Sequence, residues 1–334
     1  MGAAAVSVDN NLAFSSACGL ADIEWSVKNT VDTRFRIGSI TKELTAGAVL
    51  LLHQEQKLSL TDAIGKYVSN LPTAWQSATI HQLLTHTSGV PIYTASQDYK
   101  QVNPDLKRWE KLGATPRELL ELVADRPLMH PHGSKFAYNN SGYILLGMLI
   151  EAVSRSTYDR FVQERFFDRL GMNASGFDST GKIVVRRAAG YTVIPGGLKK
   201  ADFVDATTAW SAGGFYSTVA DMTLWAQSLS HHTILTAEST ARMFSVYPEA
   251  VSQDPYHKTA HYGYGVVLAE RFDHQLQYHG GGISGFNSVL QQYPEVNLTI
   301  AVLSNQDSSK LTSWTLGDGL AKIWFEERVQ NDPR

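Results

Sequence analysis

Ser39-Ile40-Thr41-Lys42-Glu43-Leu44-Thr45-Ala46-Gly47-Ala48-Val49-Leu50-Leu51-Leu52 sets a hydroxyl and an amine three residues apart at the head of a long apolar run. From Ile40 to Gln56 the chain is free of proline, rich in Leu and Ala, and apolar on almost every face, which predicts a buried helix. Positions i and i+3 share a helix face, so the Ser39 hydroxyl and the Lys42 amine can touch. A serine becomes nucleophilic when something takes its proton, and a lysine can take it only if burial and neighbouring charge bring its pKa toward neutrality. The apolar run supplies the burial, and backbone N–H groups at the helix start would surround an oxyanion formed near Ser39.

The spacing recurs at Ser179-Thr180-Gly181-Lys182. That copy lies in the polar, glycine-bearing stretch from Gly176, which predicts a surface loop where Lys182 stays solvated and protonated. Two further segments favour the first copy. Tyr138-Asn139-Asn140 is the only Tyr-x-Asn in the chain and leads into an apolar helix. Beside a buried ammonium, the Tyr138 phenol is expected to ionise more readily and relay a proton between Ser39 and a leaving group. Asn140 would offer its amide to a substrate carbonyl. His279-Gly280-Gly281-Gly282 ends a predicted strand, and glycines there let a ligand approach the backbone closely. An acyl substrate laid along that edge would meet the Gly282 N–H, paired with that of Ser39 as an oxyanion hole. Taken singly, each segment also reads as a helix cap, a buried tyrosine or a sheet-edge turn.

Around these segments, Ala3 to Val8 and Leu12 to Ser16 flank Asp9-Asn10-Asn11 and predict a hairpin. Helices are expected at Thr79 to Thr85, Arg117 to Ala124 after Thr115-Pro116, Ser141 to Val153, Tyr158 to Leu170 and about Val219 to Leu229. Tyr262 to Ala269, Gln275 to His279, Ser288 to Tyr293 and Leu298 to Leu303 predict strands of an antiparallel sheet, with a last helix near Leu311 to Phe325. Strands at both ends fit one α/β lobe (about 1–58 and 205–334), with a mostly helical lobe at about 59–204 and the active site in the cleft between them.

The three segments together resemble the β-lactamase and penicillin-binding-protein superfamily, most closely class C β-lactamases, the D-Ala-D-Ala carboxypeptidase and D-aminopeptidase group, and family VIII carboxylesterases. They stand in the family's order, and the tyrosine of the second segment is similar to class C. Phe35-Arg36-Ile37-Gly38, Leu83 to Gly89, Arg187-Ala188-Ala189-Gly190-Tyr191 and Gly213-Gly214-Phe215-Tyr216-Ser217-Thr218 extend the likeness over nearly the whole chain. The resemblance implies a β-lactamase-like fold and a serine hydrolase forming an acyl-serine, with Ser39, Lys42 and Tyr138 catalytic, Asn140, His279 and Gly281 contacting substrate, and Ser39 and Gly282 forming the oxyanion hole. It also suggests a periplasmic or secreted setting, although Met1-Gly2-Ala3-Ala4-Ala5 shows no signal-peptide pattern. His279 stands where a lysine is common, and Gly280 where penicillin-recognising members usually carry Thr or Ser. Loss of a fixed charge and a hydroxyl weakens carboxylate recognition and favours short neutral esters over β-lactams or D-Ala-D-Ala peptides.

With 334 residues, 43% hydrophobic and 18% charged, the chain can build a large core. A net charge of -3 and scattered Lys and Arg provide no basic field for nucleic acid. The lone Cys18 is expected as a small core residue. No cofactor or metal is expected, since His130 with His132 and His231 with His232 lack further ligands at the right spacing. Gly280 to Gly285 matches Gly-x-Gly-x-x-Gly without a following helix, Gly176 to Lys182 lacks the hydroxyl that would hold magnesium, and no Gly-x-Ser-x-Gly occurs. His86-Thr87-Ser88-Gly89 reads as a helix end near the cleft. Trp210, Tyr216, Tyr262 and Tyr264 are candidate walls of an acyl pocket. The longest apolar run is too short to span a bilayer. The expected partner is a small ester, amide or β-lactam. The alternative from another class is a non-catalytic penicillin-binding-like sensor or scaffold that keeps this fold, against which the intact Ser39, Lys42 and Tyr138 count.

Overall fold

The computed structural model describes residues 1–94, 104–252, 257, 260–307 and 312–331. Strands β1 (Gly2–Val8) and β2 (Asn11–Cys18) form the expected hairpin. Near the other end come β3 (Val251–Ser252), β4 (Ala260–Tyr262), β5 (Val267–Arg271), β6 (His274–Ile283), β7 (Phe286–Tyr293) and β8 (Leu298–Ser304). They make one antiparallel sheet in the order β3-β4-β5-β6-β7-β8-β1-β2. The two chain ends close it, with β1 paired to β8 from Gly2 opposite Ser304 to Val8 opposite Leu298.

Alternation along these strands sends side chains to two cores. Ala3, Ala5, Leu290, Ala301 and Leu303 join the main core with α1 (Thr41–Gln54). Val289, Ile300 and Val302 pack with Trp314 and Ala321 of the last helix, Ser313–Asn331. Every residue of α1 from Thr41 to Leu52 is buried. Each fully buried Leu or Val contributes about 1.5 to 3 kcal/mol, so α1 is an anchor. The main core also holds α2 (Ile80–Leu84), opened by a Thr79–Gln82 capping box, and α3 (Asn140–Ser154), whose Asn139 side chain accepts from the Gly142 N–H.

Four expectations change. Tyr262 to Ala269 is two strands joined by a tight turn, in which Gly265 has φ +76° and a Cβ there would lie 2.5 Å from the Lys42 carbonyl oxygen. The strand expected to stop at His279 runs on to Ile283, because its glycines keep pairing with β7. A π-helical turn at Gln163–Phe167 interrupts the helix from Tyr158 to Leu170. Cys18 is exposed, because β2 is the outermost strand and its side chains from Asn11 to Ser16 also lie open. In the last helix, Leu311 lies outside the described residues.

Candidate active site

Ser39 sits in a 3-10 turn, Gly38–Ile40, that feeds α1. Gly38 takes φ +50°, and a Cβ there would stand 2.8 Å from the Gly282 nitrogen of β6. A side chain would therefore be doubly opposed, by strain and by collision. β6 closes on the same turn through Gly281, whose added Cβ would meet the Ile37 carbonyl oxygen at 2.0 Å. The Ser288 hydroxyl donates to that carbonyl at 2.8 Å and locks the contact. One strand glycine, Gly281, and one turn glycine, Gly38, thus bring the backbones of Ser39 and Gly282 side by side.

Lys42 is fully buried. Its Nζ lies 2.8 Å from Asn140 Oδ1, 2.8 Å from the Ala212 carbonyl oxygen and 3.1 Å from Ser39 Oγ. Among the described residues no carboxylate is hydrogen-bonded to it, and burial pushes its pKa well below the ordinary lysine value. A neutral amine has two N–H donors and one lone pair. The Asn140 oxygen and the Ala212 carbonyl can only accept, so they take the two donors, and the lone pair faces the Ser39 hydroxyl. The arrangement can draw a proton from serine to lysine.

Tyr138 stands on the other side of Ser39, within hydrogen-bond reach of its hydroxyl, with the Lys42 Nζ 4.8 Å from its ring centroid. One edge of the ring faces the open cleft, but the surrounding protein desolvates the phenol and raises its pKa above the ordinary tyrosine value. This reverses the expected direction, and the reason is burial: desolvation of the phenol outweighs its hydrogen bond with Ser39, which acts the other way. Tyr138 is then a protonated donor.

The family model described as Beta-lactamase matches residues 2–315. The chain belongs to the beta-lactamase family. Members of that family are serine hydrolases. Protein flp of Staphylococcus aureus (strain NCTC 8325 / PS 47) is 27% identical over 320 residues, covering 92% of this chain and 60% of the relative. The chain thus spans about 60% of that relative's length. The crystal structure of a penicillin binding protein from Bacillus halodurans superposes with a TM-score of 0.82 at 27% identity, covering 96% of this chain and 95% of the other. The octameric penicillin-binding protein homologue from Pyrococcus abyssi gives 0.83 at 25% identity, covering 97% and 73%.

In this beta-lactamase-family chain the third segment is occupied differently from a lysine. His279 is buried, its Nδ1 lies 2.6 Å from the Gly280 carbonyl oxygen and its Nε2 2.9 Å from the Tyr262 hydroxyl. The carbonyl can only accept, so Nδ1 carries the proton, and in the neutral ring Nε2 accepts from Tyr262. Both nitrogens are engaged by the protein.

Asn140 is also engaged at both ends, since its Nδ2 donates to Thr94 Oγ1 at 2.9 Å. A substrate carbonyl would have to take the place of Thr94 there. Two cavities flank the nucleophile and share Gly282. One, about 270 Å³, is lined by Ser39, Asn140, Glu110 and Ala212; the other, about 330 Å³, by Tyr138, His279 and Gly280. Of the four aromatic candidates only Tyr262 lines either cavity; Trp210 packs on Tyr158, Tyr264 stacks on Tyr247, and Tyr216 is a buried strand residue. The second Ser-x-x-Lys is exposed, as expected.

Sequence reasoning missed three groups that the structure places at the candidate site. The Ala212 carbonyl is a backbone atom and leaves no trace in a residue pattern. Glu110 belongs to a helix at Pro104–Leu112 that was not anticipated; burial raises its carboxyl pKa. His86, expected only to end a helix near the cleft, is buried behind Tyr138 with ring centroids 4.5 Å apart. Its Nδ1 accepts from the Asn139 N–H at 3.0 Å and its carbonyl from the Ala137 N–H at 2.9 Å, so it braces the segment carrying Tyr138 from both sides. Its backbone lies in the left-handed region, with φ +60°.

Proposed function

We propose that this protein hydrolyses acyl compounds through an acyl-serine on Ser39, with short neutral esters as the preferred substrates. The observation that carries the reading is the three-atom cradle of Lys42, which leaves a lone pair for the Ser39 proton. Ser39 Oγ attacks the ester carbonyl as Lys42 takes its proton. The N–H groups of Ser39 and Gly282 steady the oxyanion. Tyr138 then protonates the departing alkoxide, and Lys42 returns the serine's proton to Tyr138. Water repeats the sequence to release the acid.

The preference for neutral esters rests on His279 and Gly280. An imidazole with both nitrogens held by Tyr262 and Gly280 presents no fixed charge to a substrate carboxylate, and a glycine presents no hydroxyl. A charge-assisted hydrogen bond contributes roughly 1.5 to 3 kcal/mol, and penicillins and D-Ala-D-Ala peptides would forgo it here. The half-buried carboxyl of Glu110 in the Ser39 cavity favours a second reading, an aminopeptidase-like or amidase-like reaction on acyl groups bearing an ammonium.

Two measurements test this. Intact-protein mass spectrometry after a fluorophosphonate should find one adduct, on Ser39, and none in Ser39→Ala; an adduct on Ser88 or Ser179, or no adduct, removes the mechanism. A panel of p-nitrophenyl butyrate, nitrocefin and a D-amino-acid amide should rank the ester first. Efficient nitrocefin turnover without esterase activity would make a β-lactamase of it, and preference for the amide would select the second reading.

A further inference from the structure

Ser39 lines one of the two cavities at the nucleophile and Tyr138 the other. A hydroxyl that protonates a departing group must face it. The Tyr138 cavity is therefore the chamber for the leaving group, and the Ser39 cavity the chamber for the acyl group.

The walls of the leaving-group chamber are aromatic. Tyr278 and Trp314 pack with centroids 4.7 Å apart, Phe136 and Tyr262 with centroids 5.7 Å apart, and Val267 and Val289 line it too. Beside them stand the uncharged polar groups of Ser252, Asn287 and Ser288 and the imidazole of His279. Its described lining residues include no Asp, Glu, Lys or Arg. Gly280 adds to its size in a way packing does not require: a Cβ there meets only the Ser288 carbonyl oxygen, at an unstrained 3.8 Å. Gly281 beside it has no such freedom. Space is thus left at position 280 in a pocket whose walls suit a flat apolar ring.

We infer that this enzyme selects uncharged aromatic leaving groups, so that benzyl and aryl esters are its preferred substrates among neutral esters. The inference rests on the acyl-serine reading above. When Tyr138 gives its proton to the ester oxygen, the C–O bond to the acyl carbon breaks and the ring leaves as benzyl alcohol or phenol. The phenolate of Tyr138 regains the proton that Lys42 took from Ser39, so charge and protons balance without any further reagent.

The test holds the acyl group constant and changes the alcohol. Benzyl butyrate and ethyl butyrate have leaving alcohols of similar acidity, so a difference between them reports the chamber. Wild-type kcat/KM should be at least tenfold higher for the benzyl ester. Gly280→Val, which fills the chamber, should lower the benzyl-to-ethyl ratio at least tenfold. Gly280→Ala should lower it by a smaller step, and this one-methyl variant serves if the valine protein fails to fold. Equal rates on both esters in the wild type, a ratio unmoved by either variant, or a preference for a 4-carboxybenzyl ester would overturn the inference while leaving the hydrolase reading intact. If neither ester is cleaved and Ser39 takes up no acyl group, the hydrolase reading falls and the inference with it.

Discussion

Lys42 owes its chemistry to the atoms around its nitrogen, all of them acceptors or neutral hydroxyls and none a carboxylate. Since burial lowers its pKa, the amine is ready as a base at a pH where a surface lysine would be charged. In the proposed mechanism only the neutral form acts, so kcat/KM should fall as pH drops through the lowered Lys42 pKa and stay level above it. A pH profile on a neutral ester checks this; a rate that rises only near the ordinary lysine pKa would mean the amine is an ammonium at rest. Tyr138 carries the complementary prediction. In the proposed mechanism it serves as an acid, which its raised pKa suits, and Tyr138→Phe should then lower turnover by roughly 10²- to 10⁴-fold without loss of folding. A loss below tenfold in a protein of normal thermal stability would hand the proton work to Lys42 or water. In the sequence His86 reads only as a helix end, because nothing in a residue string tells that its ring lies under Tyr138.

Strand β6 shows how an element rather than a residue builds a site. Its three consecutive glycines differ in what an added Cβ would meet: only an unstrained contact at 3.8 Å at Gly280, a carbonyl oxygen at 2.0 Å at Gly281, and nothing within 4 Å at Gly282. Close approach of β6 to the Ser39 turn therefore depends on Gly281. Gly281→Ala should destabilise the fold by about 1 to 3 kcal/mol, the usual cost of overpacking, and cut activity through the displaced Gly282 N–H, whereas Gly280→Ala should leave stability within about 0.5 kcal/mol of wild type. Urea unfolding of the two variants decides it, and equal effects would show that packing at Gly281 relaxes freely. The repeated glycine was legible as a place of close approach, but which glycine meets a backbone depends on the pleat of a strand whose end was read four residues early.

At the scale of the whole molecule, the core under α1 contains one ionisable group beside Lys42 with a clear consequence. Glu43 is buried, accepts a hydrogen bond from Trp225 Nε1 at 2.9 Å, and burial raises its carboxyl pKa from 4.5 to about 8. Between those values the folded protein holds a proton that the unfolded chain has lost. Stability should therefore be highest below about pH 4.5 as far as Glu43 is concerned, fall as pH rises toward about 8, and level off above. The slope is at most about 1.4 kcal/mol per pH unit. Glu43→Gln, which keeps the shape and cannot ionise, should flatten that slope in thermal melts at fixed ionic strength; an unchanged slope would place the titration elsewhere. The sequence by itself determined the buried helix, the order of the three motifs, the sheet closed by both chain ends and the family, because apolar periodicity and motif spacing are local properties of the string. Only the tertiary structure decided that no carboxylate among the described residues is hydrogen-bonded to the buried Lys42, that desolvation raises the Tyr138 pKa, that Cys18 faces outward on an edge strand, and that an aromatic chamber opens beside Gly280. Those facts depend on which distant atoms surround a group, and desolvation and packing are sums over neighbours that a residue pattern does not contain.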